Sequence, residues 1–280
     1  DHLYVVNRRH QLIGWVALQD LVTCEPGTPL NQLIDDSLTS IHVGESAQEV
    51  ARQFSDHDWV SAPVVDDGNV LLGRITIDDV VDIIREQAEH QVLGAAGLDE
   101  DEDLFSPVRR AVRGRVVWLC INLLTAFLAA SVIGQFEATI ERIVALAVLM
   151  PIVAGIGGNA SVQVLTLMVR GIALGQVGSS NAGILLWKEL RVALINGLLI
   201  GGLVGLIALA WFRDWDLSLV IGAALVINFC SAALAGVLVP LVMKRMRIDP
   251  AVAGTVVVTA VTDVMGFLSF LGLATLVLLR

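Results

Sequence analysis

The chain has 280 residues, of which 55% are hydrophobic, and its mean hydropathy is +0.74. This composition excludes an ordinary soluble domain, in which about 45–50% of residues are apolar. Residues 1–113 carry a net charge of −13, whereas residues 114–280 carry +3. We therefore expect an acidic water-soluble part followed by a membrane part, with cations rather than nucleic acid as partners.

Two stretches near the N-terminus repeat each other without a gap. Residues 4–22 and 63–81 match at a separation of 59 residues, and each is typical of a strand, a polar turn, a second strand and the start of a helix. Between them, residues 46–59 predict an amphipathic helix with Val50 and Phe54 on one face. The repeat indicates one doubled module.

This pattern resembles a CBS-domain pair over residues 1–84. The second copy spans residues 38–84, and the first is partial over residues 1–30, so we expect an N-terminally truncated chain. Thr76 and Asp79 match the family's nucleotide-contacting pattern, which implies ATP as a ligand. A purely structural role for these two residues is the alternative.

A charged connecting helix is predicted over residues 85–114, and it contains five consecutive acids at 99–103. Residues 115–280 then predict an all-α membrane domain, because five apolar stretches exceed or match the roughly 20 residues that a membrane helix needs. The predicted helices are about 116–136, 143–169, 192–212, 217–243 and 251–279. Ten basic residues fall on one side of the membrane and three on the other. This bias predicts a cytoplasmic CBS region and a C-terminus outside.

Two of these stretches carry polar residues in unusual places. In the second, Gly157 and Gly158 weaken the helix, and Asn159 and Gln163 lie one turn apart on one face. This face indicates a pore lining, with hydrogen bonding between helices as the alternative.

The fifth apolar stretch places Thr255, Thr259 and Asp263 on one helical stripe, and Thr262 lies beside it. An ionised carboxylate at the bilayer centre costs roughly 2.5–3.5 kcal/mol. Because no basic residue in this stretch neutralises Asp263, a passing cation is the favoured explanation, with a protonated or hydrogen-bonded structural aspartate as the alternative. The available ligands are oxygen atoms, which suit hard ions, and Mg²⁺, Mn²⁺, Ca²⁺ and Na⁺ all remain open on this argument.

The stretches "PIVAGIGGNASVQVLTLMVRGIA" and "DPAVAGTVVVTAVTDVMGFLSFLG", behind a CBS pair and a charged helix, resemble the MgtE family of magnesium channels. The resemblance implies a homodimer with a Mg²⁺ pore on its two-fold axis. It assigns the pore to Asp263, Thr259, Thr255 and Asn159, on a pore helix that includes Gly157, Gly158 and Gln163. It assigns regulatory Mg²⁺ binding to a set of acids: Asp58, Asp79, Asp82, Asp249 and Glu86.

The sequence therefore predicts an inner-membrane Mg²⁺ channel that serves magnesium homeostasis and is gated by cytosolic Mg²⁺, not an enzyme. The apolar stretches contain no nucleophile–base pair or metal-ligand cluster, and the three cysteines lack a ligand spacing. One alternative is an ion-coupled carrier of Mg²⁺ or another divalent cation. Another is a nucleotide-sensing membrane receptor in which Asp263 only packs.

Overall fold

The computed structural model describes residues 2–98, 105–178 and 181–279. The chain divides into two compact units, Asp1–His90 and Gln91–Arg280. Within these described ranges, the first unit contains five strands, and the second contains the membrane helices. This arrangement confirms the predicted fold class of an α/β CBS region followed by a helical membrane domain.

The repeat predicted from the sequence is visible in the strand pairing of the first unit. The elements in chain order are β1 (His2–Val6), β2 (Leu12–Ala17), α1 (Leu18–Thr23), β3 (Ile41–His42), α2 (Ala47–His57), β4 (Ser61–Val65), β5 (Leu71–Thr76) and α3 (Ile77–Ala95). Strands β1 and β2 form an antiparallel hairpin, as do β4 and β5. Val5 lies opposite Gly14, and Val64 lies opposite Gly73, 59 residues later in both strands. Each hairpin also changes register at the next residue.

The two hairpins are joined to each other within this unit. The Leu12 N–H donates to the Asn69 carbonyl, and the Leu71 N–H donates to the His10 carbonyl, each at 2.9 Å. Strand β3 extends the second hairpin by pairing parallel to β4. The second copy therefore has a three-stranded sheet, whereas the described part of the first copy has two strands.

Helix α2 confirms the predicted amphipathic helix and forms the core of the second copy. The Ser46 hydroxyl accepts the N–H of Glu49 at 3.3 Å and so caps the helix. Val50 and Phe54 are buried, with Phe54 only 1% exposed. They pack with Ile41, which lies in β3. The helix therefore holds the short third strand in place.

After the end of α3, the described residues of the second unit form a short helix and five long ones. Their ranges are α4 (Val108–Gly134), α5 (Glu137–Arg142), α6 (Ala145–Ala173), α7 (Ala182–Phe212), α8 (Trp215–Arg245) and α9 (Pro250–Leu278). All except α5 are long and apolar enough to cross a membrane. Helix α7 begins at Ala182, ten residues before the predicted stretch 192–212. The helix extends beyond its apolar segment because polar residues at the membrane boundary can also be helical.

Small residues let the membrane helices approach each other closely. A Cβ placed on Gly201 would lie 2.7 Å from the Gly222 carbonyl oxygen, and one on Gly205 would lie 3.0 Å from the Ser218 carbonyl oxygen. A Cβ on Gly236 would lie 2.7 Å from the Cβ of Val164. Helix α8 therefore packs its backbone against α7 on one side and α6 on another.

The charged stretch predicted as one helix over residues 85–114 is divided in the structure. Helix α3 ends at Ala95, and Gly97 follows with a φ of +71°, a conformation that ends helices and favours glycine. Helix α4 begins at Val108, directly after Pro107, which cannot continue a preceding helix. The predicted acidic run at 99–103 lies outside the described residues.

Candidate functional site

The two helices that the sequence predicts to line a pore are neighbours in the second unit. A Cβ placed on Gly158 of α6 would lie 3.8 Å from the Thr259 Cγ2 of α9. Five residues before Thr259, a Cβ on Gly254 would lie 3.0 Å from the Leu165 Cδ1. Helix α6 is continuous through Pro151, although proline removes one backbone donor. Glycine on α6 therefore lets Thr259 of α9 lie close to Gly158, and glycine on α9 lets Leu165 of α6 lie close to Gly254.

The polar residues of α9 separate into two groups. Thr255, Thr259 and Asp263 are partly exposed, as expected for one helical stripe. Thr262 is 0% exposed, and its hydroxyl donates to the carbonyls of Val258 at 3.1 Å and Thr259 at 3.0 Å. The stripe therefore has three members, and Thr262 is turned into the helix packing.

Asp263 has neither an ion-pair nor a hydrogen-bond partner within the described part of the chain. It lies near the middle of a 29-residue helix whose hydropathy is high enough to span a membrane. A charge in such a place costs free energy unless water or an opposite charge reaches it. Because the side chain is partly exposed, a hydrated cation can supply that charge.

Asn159 and Gln163 are both exposed on α6, one turn apart, as the sequence predicts. Gln163 lines a cavity of about 120 Å³ between α6, α7 and α8, together with Glu189 and Asn196. Thr255 lines a separate cavity of about 160 Å³ that also includes Thr166 and Arg170. Gln163 therefore lies beside a cavity on the α7 and α8 side of α6, whereas Thr255 lies beside one between α6 and α9.

Asn228 and Glu189 are among the buried polar residues of the membrane unit that the sequence did not reveal. Asn228 of α8 is 0% exposed, and its Nδ2 donates to the Val153 carbonyl of α6 at 2.9 Å. Glu189 is the one charged side chain among the buried residues of the described ranges, and its Oε1 lies 3.3 Å from the Lys188 Nζ. A lone asparagine in an apolar stretch was the only signal for Asn228. Glu189 falls just outside the predicted third span.

The predicted regulatory acids lie at exposed positions. Asp79, Asp82 and Glu86 share one face of α3 at the i, i+3, i+7 spacing. Asp58 ends α2 in the left-handed conformation, with a φ of 53°. Asp249 caps α9, where its carboxylate accepts the Ala251 N–H at 2.8 Å.

No group of three or more His, Cys, Asp or Glu side chains that could hold a metal ion occurs across residues 2–98, 105–178 and 181–279. The role of the predicted regulatory acids in Mg²⁺ binding stays a prediction.

The first unit also contains a cavity of about 380 Å³, with aromatic residues prominent in its lining. The rings of His57 and Trp59 stack with centroids 4.7 Å apart, and His2 meets Trp15 edge to face at 4.1 Å. The predicted nucleotide-binding residues, Thr76 and Asp79, lie outside this cavity. Thr76 donates its N–H and hydroxyl to Asp79 at 3.1 and 2.9 Å, and neither residue lines the cavity, although Thr76 pairs with the lining residue Ser61.

Two regions of the chain match known protein families. The MgtE family of divalent cation transporters matches residues 150–273, and the CBS domain matches residues 30–86. A magnesium transporter MgtE from Enterococcus faecalis is 31% identical over 275 residues, which cover 98% of this chain and 60% of that protein. Residues 150–273 therefore match an MgtE-family domain. The family resemblance predicted from the sequence is thereby confirmed.

Further relatives also match this chain over only part of their own length. A magnesium transporter MgtE from Thermus thermophilus is 31% identical over 281 residues, or 99% of this chain and 62% of that protein. The chain therefore spans about three fifths of the length of the curated relatives it matches. A solved cytosolic domain of the Mg²⁺ channel MgtE in complex with ATP is 33% identical, with a TM-score of 0.28, and it covers 29% of this chain and 33% of that one.

Proposed function

We propose that this chain is the CBS and membrane part of a Mg²⁺-selective channel that mediates Mg²⁺ uptake across the inner membrane as a homodimer. The match to the MgtE family and five membrane-length helices support a transporter rather than an enzyme. The excess of basic residues on one side supports a cytoplasmic CBS region and a C-terminus outside.

The observation that carries this proposal is the uncompensated, partly exposed carboxylate of Asp263 on a stripe with Thr255 and Thr259. In the proposed dimer, each subunit presents one such carboxylate to a hydrated ion on the two-fold axis. Mg²⁺ keeps several of its waters and binds through few carboxylates, so carboxylates, hydroxyls and the Asn159 amide suit its outer shell. A fully dehydrated ion would need more direct ligands than this stripe supplies.

The test measures Mg²⁺ uptake into proteoliposomes for the native chain, Asp263→Ala and Asp263→Asn. We expect both variants to remain dimeric and to lose at least about 100-fold of the flux, because removal of a charge at the ion site costs several kcal/mol. Asp216→Asn is the matched control, since Asp216 is an exposed acid in the first turn of α8. It removes the same charge outside the stripe and should keep at least half of the flux.

Two outcomes favour the alternatives. Native uptake in Asp263→Ala would favour a packing role for the carboxylate and a receptor function for the chain. Uptake that disappears when Na⁺ and proton gradients are removed would favour a coupled carrier. Uptake that continues without either gradient and depends on Asp263 supports a channel.

We also propose that cytosolic Mg²⁺ closes the channel by binding the acids of the first unit. Like charges on the acidic N-terminal region repel, and a divalent cation that bridges them favours a compact arrangement. The second unit offers a route to the pore helix. A Cβ placed on Gly94, at the end of α3, would lie 3.1 Å from Val252, in the first turn of α9. A shift of this segment therefore bears directly on the helix that carries Asp263.

Neutralising the exposed acids of α3 tests this regulation. In Asp79→Asn/Asp82→Asn/Glu86→Gln, we expect uptake to continue when millimolar Mg²⁺ is present on the cytosolic side. Asp36→Asn/Asp56→Asn is the control, because both residues are exposed acids of the same unit outside the predicted set. Equal inhibition by Mg²⁺ in the triple variant and the native chain would contradict the regulatory assignment.

Nucleotide binding to the CBS region is a second candidate function, favoured by the 380 Å³ cavity and its stacked rings. An adenine base has a flat face that suits stacking on Trp59 or His57. Calorimetric titration with ATP should show binding to the native chain and a clear loss in Trp59→Ala. Thr76→Val tests the residue that the sequence pattern favours. Unchanged ATP affinity in Trp59→Ala would contradict the cavity as the site.

A further inference from the structure

We propose that Asn228 is a positioning residue that sets the separation of α6 and α9, and with it the geometry of the ion path at Asp263. The proposal rests on the proposed channel function. Asn228 belongs to α8, which contributes none of the predicted pore residues. Its effect on the path is therefore indirect and passes through the two helices that it contacts.

The side chain of Asn228 is enclosed between two glycines on different helices. A Cβ placed on Gly157 of α6 would lie 2.8 Å from the Asn228 Cγ. A Cβ placed on Gly266 of α9 would lie 2.7 Å from the Asn228 Nδ2. Because real Cβ atoms do not approach other atoms so closely, both positions accept only glycine while the amide stays in place. The amide group thus acts as a spacer between the backbones of α6 and α9.

This spacer lies at the level of the predicted ion site. Gly266 follows Asp263 by three residues, which is less than one helical turn. Gly157 precedes Asn159 by two residues. A change in the width of this junction therefore moves the segments that carry Asp263 and Asn159 relative to each other.

A hydrogen bond also fixes the rotation of α6 at this junction. The Asn228 Nδ2 donates to the Val153 carbonyl at 2.9 Å, two residues after Pro151. Proline lacks the N–H that would complete the helical bonding of the preceding turn, so α6 is less constrained here than elsewhere. The bond from α8 supplies a constraint from outside the helix.

Efficient packing alone does not explain an asparagine at this position. Its Oδ1 is buried and has no hydrogen-bond donor within the described ranges. An unsatisfied buried acceptor destabilises a fold, whereas an apolar side chain of similar volume would avoid that cost. The side chain therefore fits a role in which the donor bond and the exact spacing matter for transport.

The first experiment compares Asn228→Leu with the native chain in proteoliposomes. Leucine keeps the number and branching of the side-chain heavy atoms but removes the bond to Val153. We expect Mg²⁺ flux per folded dimer to fall about ten-fold or more, and the ratio of Mg²⁺ to Ca²⁺ flux to change, because small misplacements of a site are costly. Ser231→Ala is the matched control, since its buried hydroxyl donates only to the Ile227 carbonyl of its own helix, at 3.0 Å. Its flux ratio should stay native.

A second experiment tests the spacer role of the Asn228 amide with a pair of variants, so that the result does not rest on whether Asn228→Leu folds. Gly266→Ala places a methyl group against the amide and should lower the flux. The double variant Gly266→Ala/Asn228→Ala removes the amide and should recover part of that loss. Failure of the double variant to recover, together with a native flux ratio in Asn228→Leu, overturns the positioning role. If Asp263→Ala keeps native flux, the channel proposal itself fails, so the two failures are distinguishable.

Discussion

Helices α8 and α9 have similar mean hydropathies, 2.3 and 2.0 over their most apolar segments. The polar residue near the middle of each helix nevertheless differs in burial and in hydrogen bonding. In α8, Asn228 is fully enclosed and donates to a neighbouring helix. In α9, Asp263 is partly exposed and has no partner within the described residues. Hydropathy identifies both segments as membrane helices. The difference between a structural and a functional polar residue lies in the neighbours that each side chain meets.

The largest expected difference between positions 228 and 263 is in the rate of cysteine labelling. In a background without the three native cysteines, we expect a cysteine at position 263 to react with a small cationic thiol reagent at least about 100-fold faster than one at position 228. Access through a water-filled path explains fast labelling, and enclosure by Gly157 and Gly266 explains slow labelling. Stopped-flow or timed-quench measurements on the folded dimer give both rates. Equal rates would remove the distinction between a sealed residue and an accessible one.

Adjacent glycines of α7 differ in how closely they pack against α8. A Cβ on Gly201 would lie 2.7 Å from the Gly222 carbonyl oxygen of α8, whereas a Cβ on Gly202 would meet nothing within 4 Å. We therefore expect Gly201→Ala to lower the free energy of unfolding by about 1–3 kcal/mol, because it overpacks the helix contact. Gly202→Ala should be neutral or slightly stabilising, because alanine favours a helix by up to about 1 kcal/mol over glycine.

Unfolding of the purified chain in detergent can be followed by circular dichroism for both glycine variants. The two substitutions change the same number of atoms on adjacent residues, so differences in expression or detergent affect them alike. A loss of stability in Gly202→Ala as large as that in Gly201→Ala would show that the α7–α8 contact is not the cause.

The first unit was predictable from sequence because its signals are local. The matching residues at a separation of 59 place Gly14 and Gly73 at the same point of each hairpin, and strand pairing reproduces that match. The amphipathic spacing of Val50 and Phe54 likewise identifies α2. The division of the predicted connecting helix was less accessible, since Gly97 and Pro107 are helix-ending residues within an otherwise helical charge pattern.

The candidate site was only partly predictable, because some of its features are visible in the sequence and others depend on contacts between helices. Asp263 and Thr259 stand out as polar residues in an apolar stretch, and their helical spacing gives the stripe. The sequence could not show that Thr262 is turned inward or that Asn228 fills the space between Gly157 and Gly266. Those facts depend on which helices are neighbours, and five apolar helices of similar length offer no such information in their composition.

Thr259 and Thr262 give the smallest expected effects and the closest matched pair. Thr259→Val replaces a hydroxyl on the partly exposed stripe, so Mg²⁺ uptake should fall by a few-fold while stability stays unchanged. Thr262→Val removes a buried hydroxyl that bonds only to carbonyls of its own helix. Its uptake should remain native, and its stability should fall by about 1 kcal/mol. The reverse pattern, with uptake lost in Thr262→Val, would mean that ions depend on the enclosed face of α9 rather than on the stripe.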